Sequence, residues 1–290
     1  MADLKKVGLI GWPATYSVSP AMQNAAFADL GLDGEWEYDV LATPPDELKS
    51  CVQNLAERGY VGANVTVPHK QTIIPMLDNV GLSARGANAV NTLLLEDGRI
   101  QGFNTDVVGI RADLEANGLK LKGMKVLVLG AGGAAHAAVL ALANAGSHVT
   151  VVNRGNQRAW DLYRTVRRGV SSQFNLSVEE RSALKKIAPD MDLIINTTPV
   201  GMTPMHPNES PWPDDVPIPG GITVYDMVYR PEVTLFMQQA RDAGSTAIGG
   251  LGMLVQQGAA SFQLWTGHEP SIDVMTQAAR DALKSVEDSA

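Results

Sequence analysis

The chain has 290 residues, of which 45% are hydrophobic and 19% charged, a composition typical of a globular protein with room for one large or two modest domains. Its net charge of −8 argues against a nucleic-acid or anionic-membrane partner. The single cysteine, Cys51, cannot form an intramolecular disulfide, and the apolar run from Val7 to Ile10 is too short for a signal peptide or a membrane span, so we expect a cytoplasmic protein.

The first predicted strand, residues 6–10, leads through a turn to Ser17-Val18-Ser19-Pro20 and a helix. Pro20 suits the first helical position, and Ser19 suits the N-cap. Ser17 has no comparable structural role, so the two hydroxyls and the free amides of the helix start could instead bind a carboxylate. These residues alone leave both interpretations open.

A strand is next predicted over residues 35–41, an amphipathic helix over residues 45–57 and a third strand over residues 60–67. Ligands of open α/β sheets gather at the carboxyl ends of the strands, where Thr66 and Lys70 are expected. Most lysines are simply solvated, so a role for Lys70 requires support from other residues. The neighbouring His69 is predicted to lie at the surface.

Polar side chains also accompany the next predicted elements, which are strands over residues 93–95 and 99–103 and a helix over residues 107–117. Asn91 precedes the first of these strands, and Asp106 stands directly before the helix. Alone, Asn91 could be a turn former and Asp106 an N-cap. Because polar groups recur at successive strand ends, we interpret both as candidate site residues that support Lys70.

A strand, turn, helix, strand unit is predicted from Met124 to Arg154, with strands over residues 125–129 and 148–152. Its turn, residues 130–135, fits the pattern G-x-G-x-x-A that binds dinucleotides. Gly130 permits a tight turn, Gly132 lets the backbone approach a pyrophosphate, and Ala135 allows the helix to pack closely on the strand. The alternative is a glycine-rich turn that serves packing only.

The end of the second strand of this unit indicates which dinucleotide binds. An NAD site usually places a carboxylate there for the ribose 2′-hydroxyl. This chain has Asn153 and Arg154, then Arg158 one helical turn later, and no carboxylate from Ala116 to Trp160. A guanidinium suits the 2′-phosphate of NADP, although two solvated loop arginines remain the alternative.

The remaining sequence predicts further α/β elements: strands over residues 192–196, 223–227 and 245–248, and helices over residues 234–243, 251–265 and 272–286. Thr197 directly follows the first of these strands.

Several motifs in this order resemble the shikimate dehydrogenase family. They are Ser17-x-Ser19-Pro20, residues 64–70 (NVTVPHK), Gly86-Ala87-x-x-x-Asn91-Thr92, Gly102-x-Asn104-Thr105-Asp106, the glycine turn, residues 196–202 (NTTPVGM), residues 225–231 (YDMVYRP) and residues 250–257 (GLGMLVQQ). The resemblance covers nearly the whole chain. It implies NADP-dependent, reversible reduction of 3-dehydroshikimate to shikimate in aromatic amino-acid biosynthesis.

The resemblance also implies an α/β fold of two domains with named roles. Residues 1–105 plus 251–290 would form a discontinuous α/β substrate domain to which the C-terminal helices return, and residues 106–250 a Rossmann-like NADP-binding domain. Lys70 and Asp106 would be catalytic. Substrate contacts are implied for Ser17, Ser19, Thr66, Asn91, Tyr229 and Gln257. Cofactor contacts are implied for Gly130, Ala131, Gly132, Gly133, Ala134, Asn153, Arg154, Arg158, Thr197, Met202 and Gly250. No metal site is assigned, and a monomer or homodimer is expected.

The chain departs from the family pattern at Gly155, where Asn-Arg-Thr is usual, so one hydroxyl for the 2′-phosphate is missing. One alternative is therefore a quinate/shikimate dehydrogenase that uses NAD or both cofactors. Alternatives of a different class are a non-catalytic ligand sensor and a methyltransferase that uses the glycine turn for S-adenosylmethionine. A sensor does not need Lys70 and Asp106 together, and a methyltransferase generally has an acidic residue at the end of the second strand.

Overall fold

The computed structural model describes residues 4–14, 17–169 and 174–287, which form two compact α/β units. Unit 1 comprises Met1–Gly109 and Val255–Ala290, and unit 2 comprises Ile110–Leu254. The sequence prediction placed both boundaries four residues earlier. The difference arises because each boundary falls inside a helix, in one case Asp106–Ala116 and in the other Leu251–Thr266.

The strands and helices of the described residues are numbered in chain order. The strands are β1 (Lys5–Gly11), β2 (Trp36–Ala42), β3 (Gly62–Val65), β4 (Asn79–Val80), β5 (Thr92–Glu96), β6 (Arg99–Phe103), β7 (Lys125–Leu129), β8 (His148–Val152), β9 (Asn175–Glu179), β10 (Leu193–Asn196), β11 (Thr223–Asp226) and β12 (Thr246–Gly249). The helices are α1 (Ser19–Asp29), α2 (Leu48–Gln53), α3 (Leu82–Ala87), α4 (Asp106–Ala116), α5 (Gly133–Asn144), α6 (Asn156–Gly169), α7 (Leu184–Ile187), α8 (Leu235–Asp242), α9 (Leu251–Thr266) and α10 (Ile272–Glu287).

Unit 1 is built on a mixed six-stranded sheet in the order β2-β1-β3-β5-β6-β4. Strand β1 pairs in parallel with β2 and β3, whereas β5 is antiparallel to both β3 and β6. The apolar side chains of Ile10, Leu55, Ile73 and Leu93 lie fully buried in one core cluster beside this sheet. The carboxyl ends of β1 and β3 therefore lie next to each other, above a rigid core.

Unit 2 is built on an all-parallel sheet in the order β12-β11-β10-β7-β8-β9. Numbered within the unit, this is the order 3-2-1-4-5-6 of the doubly wound dinucleotide-binding fold. The strand order reverses between β7 and β10, and ligands of such sheets bind in the crevice outside that point. The bounds predicted for β7 and β8 are confirmed. They could be predicted because strands buried on both faces of a sheet have largely apolar sequences.

One predicted helix is only partly right, and five of the named strands and helices were not predicted. The helix over residues 45–57 is a 3₁₀ turn, Pro45–Glu47, followed by the short α2. The chain then tightens into turns, in which the N–H of Gly59 bonds the carbonyl of Ala56, while the same apolar face stays buried. The unpredicted elements are strands β4 and β9 and helices α3, α6 and α7. None of the helices in the described part of the chain is long and apolar enough to cross a membrane.

Candidate functional site

The site in unit 1 is organised around an ion pair between Lys70 and Asp106. Lys70 lies in the turn after β3, Asp106 is the first residue of α4, and Lys70 Nζ lies 2.6 Å from Asp106 Oδ2. Their side chains are 19% and 6% exposed. The pair is thus largely shielded from water, while the lysine keeps some access to a ligand.

His69 fixes the turn that carries Lys70. Its ring Nε2 lies 2.7 Å from the carbonyl oxygen of Thr43, and the side chain is only 1% exposed. The prediction that His69 is a surface residue is therefore wrong, because a carbonyl from a distant loop satisfies the buried ring. The carbonyl of Lys70 itself accepts the N–H of Val90 at 2.7 Å, which ties the turn to the strand next to it.

Asp106 does not cap its own helix. The N–H of Val107 donates to Asn104 Oδ1 at 3.2 Å, whereas Asp106 accepts bonds from Lys70 and, at 2.9 Å, from Asn91 Nδ2. The N-cap interpretation of Asp106 is wrong, since Asn104 bonds the free helix amide. The Asp106 carboxylate is available for the site.

Asn91 connects several of the predicted site residues. Its Oδ1 accepts the backbone N–H of Thr105 at 2.7 Å, and because that group can only donate, the amide orientation is fixed. Asn91 Nδ2 consequently points to Asp106 Oδ1 at 2.9 Å and to Gln257 Oε1 at 3.2 Å. Asn91 is 2% exposed, so it is a buried hub and not a turn former.

Polar residues that we did not assign to the site extend this network. Ser261 Oγ lies 2.9 Å from Asn64 Nδ2, 2.9 Å from Thr92 Oγ1 and 3.1 Å from Thr105 Oγ1. The spacing could have indicated two of them, since Ser261 is one helical turn after Gln257 on α9 and Asn64 is two residues before Thr66 on β3. The result is a continuous set of neutral hydrogen-bonding groups beside the ion pair.

Ser17 and Ser19 lie at the start of α1. The N-cap is Val18, without a side-chain capping bond, so the cap interpretation of Ser19 is wrong. Ser17 Oγ instead accepts the N–H of Ser19 at 3.2 Å and donates to Ser19 Oγ at 3.1 Å. Burial raises the pKa of Tyr38, to which Ser19 is also hydrogen-bonded, so this phenol stays neutral.

Thr66 and Tyr229 lie outside the hydrogen-bond network of Asn91 described above. Thr66 is half-buried at the end of β3, where its N–H bonds the carbonyl of Ile10 at 2.9 Å. Its methyl group occupies the space that a side chain on Gly11 would need. Tyr229 lies in unit 2 after β11, and burial raises the pKa of its hydroxyl.

The glycine turn of unit 2 lies between β7 and α5, at the strand-order reversal. Gly130 has a φ of +114°, and a Cβ there would lie 2.6 Å from Thr197 Oγ1. Thr197 Oγ1 donates to the carbonyl of Leu129 at 2.6 Å, which joins the ends of β7 and β10. The fold therefore requires glycine at residue 130, both for the positive φ and for the close approach of Thr197.

Gly132, by contrast, has no packing reason to be glycine. It directly precedes α5, its φ is −89°, and a Cβ there would meet no atom within 4 Å. The open space at a helix N-terminus is where a phosphate can approach backbone N–H groups. Ala131, Gly133 and Ala134 continue this turn into the first residues of α5, so the residues present fit a dinucleotide.

The predicted 2′-phosphate residues follow β8. Arg154 and Arg158 are both exposed, and neither pairs with a carboxylate within the described ranges. Asn153 Nδ2 donates to the carbonyl of Gly155 at 2.9 Å, which shapes this loop. Two guanidinium groups are thus available to an external anion.

Met202 and Gly250 complete the predicted cofactor residues. Met202 is half-buried in the loop after β10, where its N–H bonds the carbonyl of Pro199 at 3.1 Å. Gly250 donates its N–H to the carbonyl of Val228 at 3.1 Å, and a Cβ there would overlap the backbone of Met227. Glycine is therefore needed at residue 250 for close contact between two loops of unit 2.

Comparison with known proteins identifies the family of this chain. Three family models match: the shikimate dehydrogenase substrate binding domain over residues 9–93, shikimate/quinate 5-dehydrogenase over residues 113–205, and the shikimate 5′-dehydrogenase C-terminal domain over residues 250–280. A shikimate dehydrogenase (NADP⁺) of Methanopyrus kandleri is 38% identical and covers 98% of this chain and 97% of its own length. The chain belongs to the shikimate dehydrogenase family.

Solved structures of this family have the same fold. Shikimate 5-dehydrogenase of Thermus thermophilus in complex with NADP(H) and shikimate has a TM-score of 0.85 at 38% identity, covering 96% of this chain and 100% of its own. Quinate dehydrogenase of Corynebacterium glutamicum in complex with NAD has a TM-score of 0.86 at 29% identity, covering 96% and 99%. The family fold thus accommodates more than one substrate and cofactor.

Proposed function

We propose that this chain is an NADP-dependent shikimate dehydrogenase, which reversibly reduces the ketone of 3-dehydroshikimate to shikimate in aromatic amino-acid (chorismate) biosynthesis. The Lys70–Asp106 ion pair, surrounded by neutral hydrogen-bonding groups, is the observation that carries the proposal. Reduction of a ketone adds a hydride to carbon and a proton to oxygen. When bound, NADPH supplies the hydride.

Lys70 is the proton donor in this proposal. Its ammonium group gives a proton to the ketone oxygen, and its charge stabilises the alkoxide that develops before the proton arrives. In the reverse direction, the neutral amine accepts the proton of the alcohol. Asp106, 2.6 Å from Lys70 Nζ, holds the lysine in position and accepts a hydrogen bond from a neighbouring ring hydroxyl.

The other predicted substrate residues select a polyhydroxylated acid. Ser17 and Ser19, at the start of α1, are proposed to bind the substrate carboxylate, together with Tyr229. Thr66, Asn91 and Gln257 are proposed to bind ring hydroxyls. Because buried polar groups lose their partners when a hydroxyl is missing, such a site strongly penalises analogues that lack one.

Unit 2 is the proposed NADP-binding domain and unit 1 the proposed substrate domain. The turn from Gly130 to Ala134 would bind the pyrophosphate, Asn153, Arg154 and Arg158 the 2′-phosphate, and Thr197, Met202 and Gly250 the nicotinamide half. We further propose a cytoplasmic monomer or homodimer whose partner is the small substrate.

Quinate is the second candidate substrate, because the quinate dehydrogenase of Corynebacterium glutamicum has the same fold and Gly155 removes a hydroxyl from the proposed phosphate site. The deciding experiment follows absorbance at the NADPH band with shikimate and with quinate, each offered with NADP and with NAD. We expect shikimate with NADP to give the highest kcat/KM. Faster turnover of quinate with NAD would replace the proposal, and no turnover of either acid would leave the non-catalytic sensor and the methyltransferase as the alternatives.

A further inference from the structure

A second buried carboxylate, Asp226, lies at the carboxyl end of β11 and has no role in the mechanism above. Its Oδ1 accepts Asn196 Nδ2 at 2.8 Å and the N–H of Val228 at 3.0 Å, and its Oδ2 accepts Thr234 Oγ1 at 2.7 Å. The side chain is 0% exposed. A fully buried carboxylate is costly, so its retention at a strand end requires an explanation.

Asn196 connects Asp226 to the loop that follows β10. Asn196 and Asp226 are paired neighbours in the sheet, and both are 0% exposed. Because Asn196 Nδ2 donates to Asp226, Asn196 Oδ1 faces the loop, where it accepts the N–H of Thr198 at 2.9 Å and the hydroxyl of Thr198 at 2.7 Å. Asn196 Nδ2 also donates to the carbonyl of Val200 at 3.2 Å, so the Asn196 amide links the carboxylate directly to the loop of residues 197–202.

This loop forms one wall of the crevice at the strand-order reversal. It begins with Thr197, which bonds the end of β7 beside Gly130, and it continues to Met202. In doubly wound sheets, each half of the sheet binds one nucleotide of the dinucleotide. The half made by β7, β8 and β9 carries Arg154, so the half made by β10, β11 and β12 receives the nicotinamide nucleotide.

We propose that Asp226 is a positioning residue for the nicotinamide half of the cofactor, acting through Asn196 on the loop of residues 197–202. The inference rests on the proposed function for the identity of the dinucleotide. A carboxylate presents charged acceptors to all three donors at once. An asparagine at residue 226 has one neutral acceptor oxygen, so the Thr234 hydroxyl must turn from donor to acceptor, and the bonds from the Asn196 amide and the Val228 N–H lose the charge that strengthens them.

The test compares two ligands of different length in the full-length protein. Asp226→Asn keeps the shape of the side chain, and binding of NADP and of adenosine 2′,5′-bisphosphate, which lacks the nicotinamide half, is measured by titration calorimetry. We expect the Kd of NADP to rise about tenfold, because the bonds that hold the Asn196 amide and the Val228 N–H lose their charge assistance, and the Kd of the fragment to change less than about twofold. An unchanged Kd for NADP, or an equal rise for both ligands, would overturn the inference, since a merely structural role affects both.

Two further variants keep the test informative if Asp226→Asn folds poorly. Thr198→Val leaves the carboxylate intact but removes the hydroxyl that bonds Asn196, and it should weaken NADP binding selectively by about threefold. Asp192→Asn is the matched control: Asp192 accepts the N–H of Lys125 at 2.8 Å at the opposite end of β10, and its substitution should leave both ligands unaffected.

The outcomes separate this inference from the proposed function. Failure of the unmodified protein to bind NADP would refute the proposed cofactor. The same variants would then be tested with NAD against AMP, and a selective loss for NAD would still support the role of Asp226. Equal losses for NAD and AMP, or none, would overturn it.

Discussion

Each unit buries one carboxylate beside the end of a strand, and the two are stabilised in opposite ways. Asp106 in unit 1 faces the ammonium group of Lys70 at 2.6 Å, so its charge is paired. Asp226 in unit 2 accepts hydrogen bonds from three neutral groups, a hydroxyl, an amide and a backbone N–H. Burial consequently raises the pKa of Asp226 from 3.8 to about 6.

Under the proposed function, this difference separates the reacting pair from a residue that positions its neighbours. A paired cation can give up a proton and take it back, because the neighbouring carboxylate holds it in place throughout. A carboxylate held by neutral donors has no such partner, and it serves to orient the donors around it. Arg154 and Arg158 of unit 2 are exposed and pair with no carboxylate in the described ranges, which suits their proposed contact with a phosphate.

The largest expected effect follows from breaking the pair in unit 1. Lys70→Ala removes the proton donor, and we expect kcat to fall by roughly 10²- to 10⁴-fold while NADP binding stays nearly intact. Steady-state kinetics and calorimetry measure the two quantities. Lys49→Ala, at an exposed lysine of unit 1, is the control that should keep full activity. A kcat within about threefold of the unmodified enzyme would exclude Lys70 as the donor.

The buried carboxylate of Asp226 predicts a pH dependence of stability. Because the pKa of Asp226 is raised to about 6, the folded state binds more protons than the unfolded state between about pH 4 and pH 6. Stability that is present below this range is therefore lost as the pH rises through it. At about 1.4 kcal/mol per unit, the loss amounts to about 3 kcal/mol.

Comparison with Asp226→Asn isolates this contribution. The free energy of unfolding of the unmodified protein minus that of the variant should decrease by about 3 kcal/mol between pH 4 and pH 7. Burial also raises the pKa of Asp113, but that residue is present in both proteins and cancels in the difference. A difference that does not vary with pH would show that Asp226 titrates normally.

The third test concerns the proposed contact between Arg154 and the 2′-phosphate of NADP. Arg154→Ala should raise the KM for NADP by about tenfold to a hundredfold and leave the KM for NAD nearly unchanged, because only NADP carries the 2′-phosphate. Arg241→Ala, at an exposed arginine on α8, controls for loss of general positive charge. Equal effects on the two cofactors would contradict the phosphate assignment.

Sequence reasoning correctly predicted several elements that have a local sequence pattern. Strands β7 and β8 were predicted to the residue, and Lys70, Asn91 and Asp106 were placed near strand ends before their contacts were known. Features that depend on distant partners were missed. The burial of His69 depends on the carbonyl of Thr43, and the contact between Thr92 and Ser261 joins residues 169 positions apart. No periodic pattern records such pairs.

The edge elements were missed for a different reason. Strand β4 has two residues, and β9 is a half-exposed edge strand with polar residues at alternate positions, so neither has the apolar continuity of a central strand. Helix α3 has only six residues, too few for a helical period to be recognised.

The smallest expected effect distinguishes the capping residue from the site residue in unit 1. Asn104 bonds the N–H of Val107 and donates to the carbonyl of Ala89 at 2.8 Å, so Asn104→Ala should lower the free energy of unfolding by about 1–2 kcal/mol and change kcat less than about threefold. Asp106→Asn should lower kcat by more than about threefold and should lower the free energy of unfolding less than Asn104→Ala does. It keeps the shape of the side chain but removes the charge that pairs with Lys70. Both variants are tested by denaturation curves and by measurement of kcat. An equal loss of stability in the two variants, with no loss of activity in Asp106→Asn, would show that Asp106 acts as a helix cap.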